Sequence, residues 1–180
     1  MEEVRHRLLR ATAALRAANV LYAVVGGNAV GVWVARIDEG AVRNTRDVDI
    51  LIRREDFTAA KDALEAADFV HANVLEVDVF LDGPAARPSR AVHILFANEK
   101  VRPGEPAPNP DVSESEESGQ FRVLSLDALV RIKLTAFRLK DRVHLLDMIG
   151  VGLVDAKWLA KLPPALADRL RQLLENPEGQ

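Results

Sequence analysis

An apolar run that ends in two glycines shapes the first part of this chain. The stretch VLYAVVGG (20–27) is typical of a buried strand that meets a tight turn, and NAVGVWVAR (28–36) of a short helix that Asn28 caps. Glycines at such a turn let backbone N–H groups approach a phosphate, and the positive end of the helix dipole favours the same anion. Because a Gly-Gly pair alone is more often an ordinary turn, its meaning depends on the residues downstream of it.

Two aspartates lie downstream, in NTRDVDIL (44–51). In an extended strand, side chains two residues apart share a face, so Asp47 and Asp49 should point the same way, roughly 6–7 Å apart. Val48 and Ile50 then point to the opposite, apolar side. Carboxylates this close repel each other, and Mg²⁺ or Mn²⁺ would relieve the repulsion through oxygen ligands. The alternative is a strand whose two acids are simply solvated.

The combination of the two motifs is more specific than either of them. A strand, a Gly-Gly turn and a helix, succeeded by a strand with Asp-x-Asp, would place a phosphate-binding turn beside a metal site. Phosphoryl and nucleotidyl transfer both require that layout. Asp-x-Asp alone would also allow a phosphotransferase or hydrolase of unrelated fold, but the Gly-Gly turn and its helix disfavour that alternative.

The rest of the chain predicts a mixed sheet with helices packed on it. Apolar periodicity predicts helices over 3–18, 54–68, 126–150, 155–161 and 164–175, and strands over 74–81 and 91–97 that form a hairpin with a long turn. We therefore expect an α+β fold. Its predicted parts are an α/β core over 1–98, a Pro- and acid-rich exposed loop over 99–124, and a C-terminal helical part over 125–180 that packs on the core.

Composition excludes several kinds of site. The chain has no cysteine, which excludes a disulfide framework, a thiolate zinc site and a cysteine nucleophile. Its net charge of −3 gives no overall attraction to nucleic acid. No apolar run approaches the about 20 residues that a membrane span needs, and the charged N-terminus lacks the features of a signal peptide. We expect a cytoplasmic protein without a membrane partner.

The segment VVGGNAVGVWVA…NTRDVDILI resembles the nucleotidyltransferase fold of the DNA polymerase β-like superfamily, in its small bacterial form. The signature of that superfamily is Gly-Gly or Gly-Ser after the first strand and Thr-x-Asp-x-Asp on the next. The positions that match it are Gly26, Gly27, Thr45, Asp47 and Asp49. The resemblance covers about residues 20–97 and implies a small mixed-sheet nucleotidyltransferase core.

A looser resemblance concerns the C-terminal segment LVRIKLTAFRLKDRVHLLDMI. It is similar to the helix after the catalytic core in abortive-infection and toxin–antitoxin members, with Lys133 and the pair Lys140-Asp141 as the nearest matches. This similarity implies a toxin–antitoxin or phage-defence setting, with a cognate antitoxin or toxin among the expected partners. The alternative for these basic residues is an amphipathic helix whose charges are solvated.

The resemblance also implies a reaction. An NTP would bind with its triphosphate on the Gly-Gly turn and with Mg²⁺ or Mn²⁺ on Asp47 and Asp49. A hydroxyl of the acceptor, which could be RNA such as tRNA, a protein or a small molecule, would attack the α-phosphate, and pyrophosphate would leave. The residues expected to bind the nucleotide are Gly26, Gly27, Asn28, Thr45, Arg46 and Lys133.

One position departs from the family pattern. The third carboxylate of the family would fall in AVHILFA (91–97), where this chain has His93. His93 could be a catalytic base or nitrogen ligand, a structural histidine, or the mark of a site that has lost its chemistry. Glu76 and Asp78 are a second acid pair at strand spacing, which solvent-face alternation would explain. One of them would replace the missing acid if the hairpin register brought it beside His93. The alternative function is therefore a catalytically impaired relative that binds nucleotide or a partner protein.

Overall fold

Residues 2–83, 86–87 and 90–177 are described by a computed structural model of the chain. The strands are β1 (Tyr22–Val25), β2 (Val48–Ile52), β3 (Val70–Val74), β4 (Val77–Leu81), β5 (Ala91–Phe96), β6 (Ser115–Ser118) and β7 (Phe121–Leu124). The α-helices are α1 (Glu2–Ala17), α2 (Gly26–Ala35), α3 (Phe57–Ala66), α4 (Leu126–Ala136), α5 (Leu139–Gly150) and α6 (Pro164–Glu175). Short 3₁₀ helices occupy Glu39–Ala41, Arg54–Asp56 and Ala156–Ala160. None of the helices in these ranges is long and apolar enough to cross a bilayer.

The seven strands form one mixed sheet in the order β3-β4-β5-β2-β1-β7-β6. The strand with the aspartates, β2, lies near the middle, antiparallel to β1 and parallel to β5. Asp49 is paired with Val25 on one side and with His93 on the other. Because paired residues point to the same face of a sheet, this register places the Asp49 and His93 side chains next to each other. The predicted α+β fold is confirmed.

The two faces of the sheet bury two different cores. Ile50 belongs to the core that β2 shares with α1 and α3, which contribute residues such as Leu15 and Leu64. Leu51 belongs to the core under α2, α4, α5 and α6. Since side chains alternate along a strand, Asp49 lies on the same face as Leu51. The functional face of β2 is therefore the one that the C-terminal helices cover.

The predicted strand over 74–81 spans the last residue of β3, a tight turn and β4. Leu75 and Glu76 separate β3 from β4, and both have positive φ, 51° and 64°. A two-residue hairpin turn of this kind needs positive φ at both central positions, which usually calls for Asn or Gly. Because Leu-Glu carries no such signal, the sequence pattern predicts a continuous strand.

The structure also differs from the predicted exposed loop over 99–124, because its last part is a hairpin. β6 and β7 pair antiparallel around Gly119, whose φ is +65°, and β7 lies parallel to β1. The buried residues of β7 are Val123 and Leu124, whereas β6 is the polar edge strand SEES. An edge strand of acids and serines has none of the apolar alternation that predicts a strand. The division of the chain at 98 and 124 stays a prediction.

The predicted long helix over 126–150 is broken in the middle. Phe137 has a left-handed backbone (φ 48°) and ends α4. α5 begins after Arg138, whose backbone N–H and Nε both donate to the Asp141 carboxylate, at 3.2 and 2.8 Å. Asp141 therefore caps the second helix from within its own first turn.

Candidate active site

The two glycines begin α2 and allow β2 to come very close. Gly26 has a φ of +65°, and a Cβ there would lie 1.9 Å from Asp49 Oδ2. A Cβ on Gly27 would lie 2.9 Å from Thr45 Oγ1. Only glycine fits at Gly26, because both its backbone conformation and the space beside Asp49 exclude a side chain. The positive end of the α2 dipole therefore adjoins the aspartate motif.

Asn28 does not cap α2, so that prediction is wrong. The helix already begins at Gly26, which puts Asn28 inside its first turn. Its Nδ2 instead donates to the backbone oxygen of Asp47, at 2.8 Å. Asn28 therefore fixes the segment that leads into β2 against the start of α2.

Asp47, Asp49 and His93 form a group that could hold a cation. One ligand atom from each residue lies within 4.8 Å of the other two, and each residue is partly exposed. His93 Nδ1 lies 3.3 Å from Asp49 Oδ1. Two carboxylates suit Mg²⁺ or Mn²⁺, and an imidazole nitrogen is a better ligand for a transition-metal ion than for Mg²⁺. The donor set therefore fits a divalent cation.

Lys140 also contacts this group. Its Nζ lies 3.2 Å from both carboxylate oxygens of Asp47, and Thr45 Oγ1 donates to Asp47 Oδ1 at 3.2 Å. Burial disfavours the ionised form of Asp47, but Lys140, a backbone hydrogen bond and His93 together outweigh burial and hold the pKa of Asp47 below its usual value. The sequence placed Lys140 in the helix resemblance but not among the expected nucleotide contacts.

Lys133, an expected nucleotide contact, is held in a buried ion pair. Its Nζ lies 2.9 Å from Asp141 Oδ1, and both side chains are almost fully buried. Burial would raise the pKa of Asp141, but Lys133 and Arg138 hold it below its usual value. Lys133 thus carries its charge at the wall of the site while Asp141 compensates it.

His144 lies behind the Gly-Gly turn. Its Cε1 is 3.5 Å from the place that a Cβ on Gly27 would take, and the residue is buried. Its Nδ1 is buried and has no hydrogen-bond partner among the described residues. Burial, together with the charges of Lys133 and Lys140, lowers the pKa of His144 to about 4. His144 is therefore neutral at physiological pH.

The remaining expected residues, Arg46, Glu76 and Asp78, do not belong to the metal-ligand group. Arg46 is exposed, and no described residue forms a hydrogen bond or an ion pair with its guanidinium. Glu76 lies in the exposed hairpin turn. Asp78 Oδ1 lies 2.9 Å from His71 Nε2, and Val79 is the residue paired with His93. Because Asp78 alternates with Val79, it points to the other face, and neither acid replaces the missing carboxylate.

A cleft of about 350 Å³ opens beside the metal-ligand group. The charged and polar side chains that line it include Asp49, His93, Arg102, Glu105, Asn109, Lys133, Arg138 and Asp141. Most of the other lining residues are apolar, among them Val74, Leu75, Val77, Val79, Leu95, Val101 and Ile132. This cleft, called the apolar cleft below, is bounded by β3, β4 and β5 on one side and by α4 on the other.

Comparison with known proteins shows the fold. No protein-family model matches the sequence, and no curated protein matches it. The solution structure of the antibiotic-resistance factor ANT(2″)-Ia has a TM-score of 0.55 and 12% identity, and covers 97% of this chain and 91% of that protein. JHP933 from Helicobacter pylori has a TM-score of 0.52 and 15% identity, with 99% and 76% covered. A candidate nucleotidyltransferase from H. pylori has a TM-score of 0.50 and 14% identity, with 98% and 76% covered. The chain has the nucleotidyltransferase fold.

Proposed function

We propose that this chain, which has the nucleotidyltransferase fold, is a metal-dependent enzyme that transfers NMP from an NTP to a hydroxyl group. The observation that carries the proposal is the group of Asp47, Asp49 and His93, whose ligand atoms lie within 4.8 Å of one another beside the start of α2. A metal-ligand group next to a helix N-terminus is what nucleotidyl transfer needs, because the reacting group is a polyphosphate.

Each part of the site has a role in this reaction. A bound Mg²⁺ or Mn²⁺ would polarise the α-phosphate and steady the leaving oxygen. Asp47 and Asp49 would supply carboxylate oxygens to that ion, and the N–H groups of the first turn of α2 would be available to the phosphates. Gly26 keeps that turn free of a side chain, so that phosphate oxygens can approach the backbone. Lys140 adds positive charge at the same place.

We assign His93 as the third ligand, in the position where the family has a carboxylate. Its Nδ1 lies 3.3 Å from Asp49 Oδ1, so this nitrogen points towards the carboxylates of the metal-ligand group. Because a neutral imidazole adds no negative charge, the group is less anionic than three carboxylates and should hold Mg²⁺ less well. We therefore expect Mn²⁺ to support the reaction better than Mg²⁺.

The acceptor, the partner protein and the cellular location that we propose are those that the family resemblance implies. RNA, a protein or a small molecule is the acceptor, and the fold neighbour ANT(2″)-Ia is an antibiotic-resistance factor. A toxin–antitoxin or phage-defence role would add a cognate antitoxin or toxin as partner. A cytoplasmic location agrees with an NTP substrate and with the absence of cysteine from the sequence.

A second candidate is a nucleotide-binding protein without turnover. Two observations favour it, the histidine in place of the third carboxylate and the ammonium of Lys140 on Asp47. Such a protein would bind an NTP or a partner protein through the same site and transfer nothing.

One experiment separates the candidates. The protein is incubated with each NTP, labelled in the α position or in the γ position, with Mn²⁺ or Mg²⁺ and with total tRNA or cell lysate. Transfer of the α label alone, lost in Asp47→Asn and Asp49→Asn, supports nucleotidyl transfer. Transfer of the γ label would instead show a phosphotransferase. NTP binding without any transfer would support the second candidate, and neither binding nor transfer would contradict both.

A further inference from the structure

We infer that the apolar cleft binds the acceptor of the proposed reaction, and that this acceptor is a small neutral alcohol with an apolar body. The inference rests on the proposed function, because it takes Asp47, Asp49 and His93 as the reaction centre. The cleft volume of about 350 Å³ lies at the lower end of the roughly 300–1,000 Å³ typical of small-molecule sites.

The position of the cleft relative to the metal-ligand group favours the acceptor, rather than the leaving pyrophosphate, as the ligand of the cleft. In an in-line displacement, the entering hydroxyl and the leaving pyrophosphate lie on opposite sides of the α-phosphorus. Lys140 and the turn at Gly27 provide the positive side, which suits pyrophosphate. The cleft begins at Gly26 and Asp49 and extends past His93 along β5, β4 and β3, which continue the sheet on the side away from that turn. Along these three strands its lining is mostly apolar.

The transfer step balances without a further reactant. The acceptor oxygen forms a bond to the α-phosphorus, and the bond from that phosphorus to the oxygen bridging to the β-phosphate breaks. Pyrophosphate leaves with the electron pair of that bond, and the hydroxyl proton passes to solvent water.

The mouth of the cleft exposes large apolar side chains. Leu75 is 93% exposed, Val101 55% and Val77 40%, and all three line the cleft. Such a patch on a protein surface commonly marks a binding site. Leu75 also has a φ of 51°, in a turn where Asn or Gly would cost less. A bulky apolar side chain held in that conformation at a cleft mouth points to contact with a ligand.

The carboxylates that line the cleft are already engaged, which disfavours a polycationic acceptor. Asp49 belongs to the metal-ligand group, and Asp141 is paired with Lys133 and Arg138. Glu105, the third, accepts hydrogen bonds from two backbone N–H groups of its own loop. An aminoglycoside, which carries several ammonium groups, would therefore find only one carboxylate, Glu105, without a cationic partner among the described residues of this cleft.

An RNA strand and a nucleobase also fit the lining poorly. Of the basic residues that line the cleft, Lys133 and Arg138 are paired with Asp141, and only Arg102 is left to meet phosphates. Single-stranded nucleic acid is usually bound by a basic groove with aromatic platforms. No Phe, Tyr or Trp lines the cleft among the described residues, and the imidazole ring of His93 belongs to the metal-ligand group. The lining therefore matches a neutral apolar molecule better than it matches an RNA strand or a nucleobase.

Binding to the cleft can be measured without turnover. The probe is 2-naphthalenemethanol, a neutral alcohol with an apolar body, and its dissociation constant is measured by ligand-observed NMR in the absence of nucleotide. The double variant Leu75→Ser/Val77→Thr should raise that constant roughly tenfold, because it removes apolar contact area. Val70→Thr is the matched control, since Val70 is 40% exposed like Val77 but lies at the other end of the hairpin, outside the cleft. It should leave the constant unchanged.

Competition and transfer complete the test. ATP with Mn²⁺ should not displace the alcohol, and the α label of an NTP should appear on it. Displacement of the alcohol by free nucleosides would overturn the inference, because the cleft would then hold the base. The inference would also be overturned if kanamycin or tRNA bound to the protein and the double variant abolished that binding. It would equally be overturned if the double variant bound the alcohol as tightly as the unmodified protein does. Alcohol binding with the expected variant pattern, but no label transfer to any acceptor, would support the ligand class and contradict the proposed function.

Discussion

The ammonium nitrogen of Lys140 lies 3.2 Å from each carboxylate oxygen of Asp47. α5 thus brings a positive charge from the C-terminal part of the chain to the metal-ligand group on β2. An ammonium ion and a divalent cation would compete for the same carboxylate, because both are attracted by the same negative charge. Because Lys140 belongs to α5, the affinity of the group for a metal ion depends on where α5 lies.

Lys140→Gln should tighten Mn²⁺ binding to the nucleotide-free protein. Because the Lys140 side chain is half exposed, its pairing with Asp47 is worth up to about 1 kcal/mol, so the affinity should rise by up to about fivefold. Isothermal titration calorimetry with Mn²⁺ measures the change. Arg142→Gln is the control, because it removes the same charge from the same helix at an exposed position. An equal gain in both variants would mean that overall charge, not the contact with Asp47, sets the affinity.

Gly26→Ala should destabilise the fold and abolish Mn²⁺ binding. The new Cβ would lie 1.9 Å from Asp49 Oδ2, so Asp49 must move. Gly119→Ala separates the two causes, because Gly119 has the same φ of +65° but nothing within 4 Å of the added Cβ. It should cost about 1–2 kcal/mol through the backbone alone and leave Mn²⁺ binding intact. Urea unfolding and Mn²⁺ titration of both variants check this, and intact Mn²⁺ binding in Gly26→Ala would contradict the packing described.

Asp141→Ala should cost about 3–5 kcal/mol of unfolding free energy. The substitution leaves the buried ammonium of Lys133 without its partner and removes the cap of α5. Adding Lys133→Met should recover a large part of the loss, because the unpaired charge disappears. Asp168→Ala, which breaks an exposed pair with Arg171, should cost at most about 1 kcal/mol. Urea unfolding measures all of these, and a double variant no more stable than Asp141→Ala would refute the role given to Lys133.

His144 should make the protein less stable as the pH falls from about 6.5 to 4. Its pKa is lowered from 6.5 to about 4, so over this window the unfolded chain binds a proton that the folded protein does not. The contribution of His144 to stability is therefore fully present above pH 6.5, and about 3 kcal/mol of it is lost on acidification to pH 4. His144→Leu should flatten the pH dependence of the unfolding free energy by that amount. The control, His6→Asn at an exposed position of α1, should leave the slope as it is. An unchanged slope in His144→Leu would refute this account.

The part of the site that is local in sequence could be predicted from it. A two-residue spacing fixes the common face of Asp47 and Asp49, and an apolar run into Gly26 predicts the strand, turn and helix. The place of His93 beside Asp49 was open, because it depends on the parallel pairing of β2 with β5. No local pattern fixes the register between two strands so far apart in the chain.

The contribution of Lys140 could not be predicted for a different reason. The helical pattern runs on through Phe137, which is neither Gly nor Pro and so gives no sign that the helix ends there. In an uninterrupted helix over 126–150, Lys140 would lie on the same helix axis as the residues of α4. The break is stabilised by the cap that Asp141 forms and by the ion pair of Asp141 with Lys133 of α4, which together override local propensity.

We expect Asp47, Asp49 and His93 to bind one divalent cation at the start of α2. The most direct measurement is the nitrogen hyperfine coupling of bound Mn²⁺, detected by electron spin echo spectroscopy. The coupling should be present in the unmodified protein and in His71→Gln, because His71 is paired with Asp78 on the other face. His93→Asp should still bind Mn²⁺ but lose the coupling, since a carboxylate replaces the imidazole. Bound Mn²⁺ without nitrogen coupling in the unmodified protein, or a coupling that persists in His93→Asp, would contradict the claim.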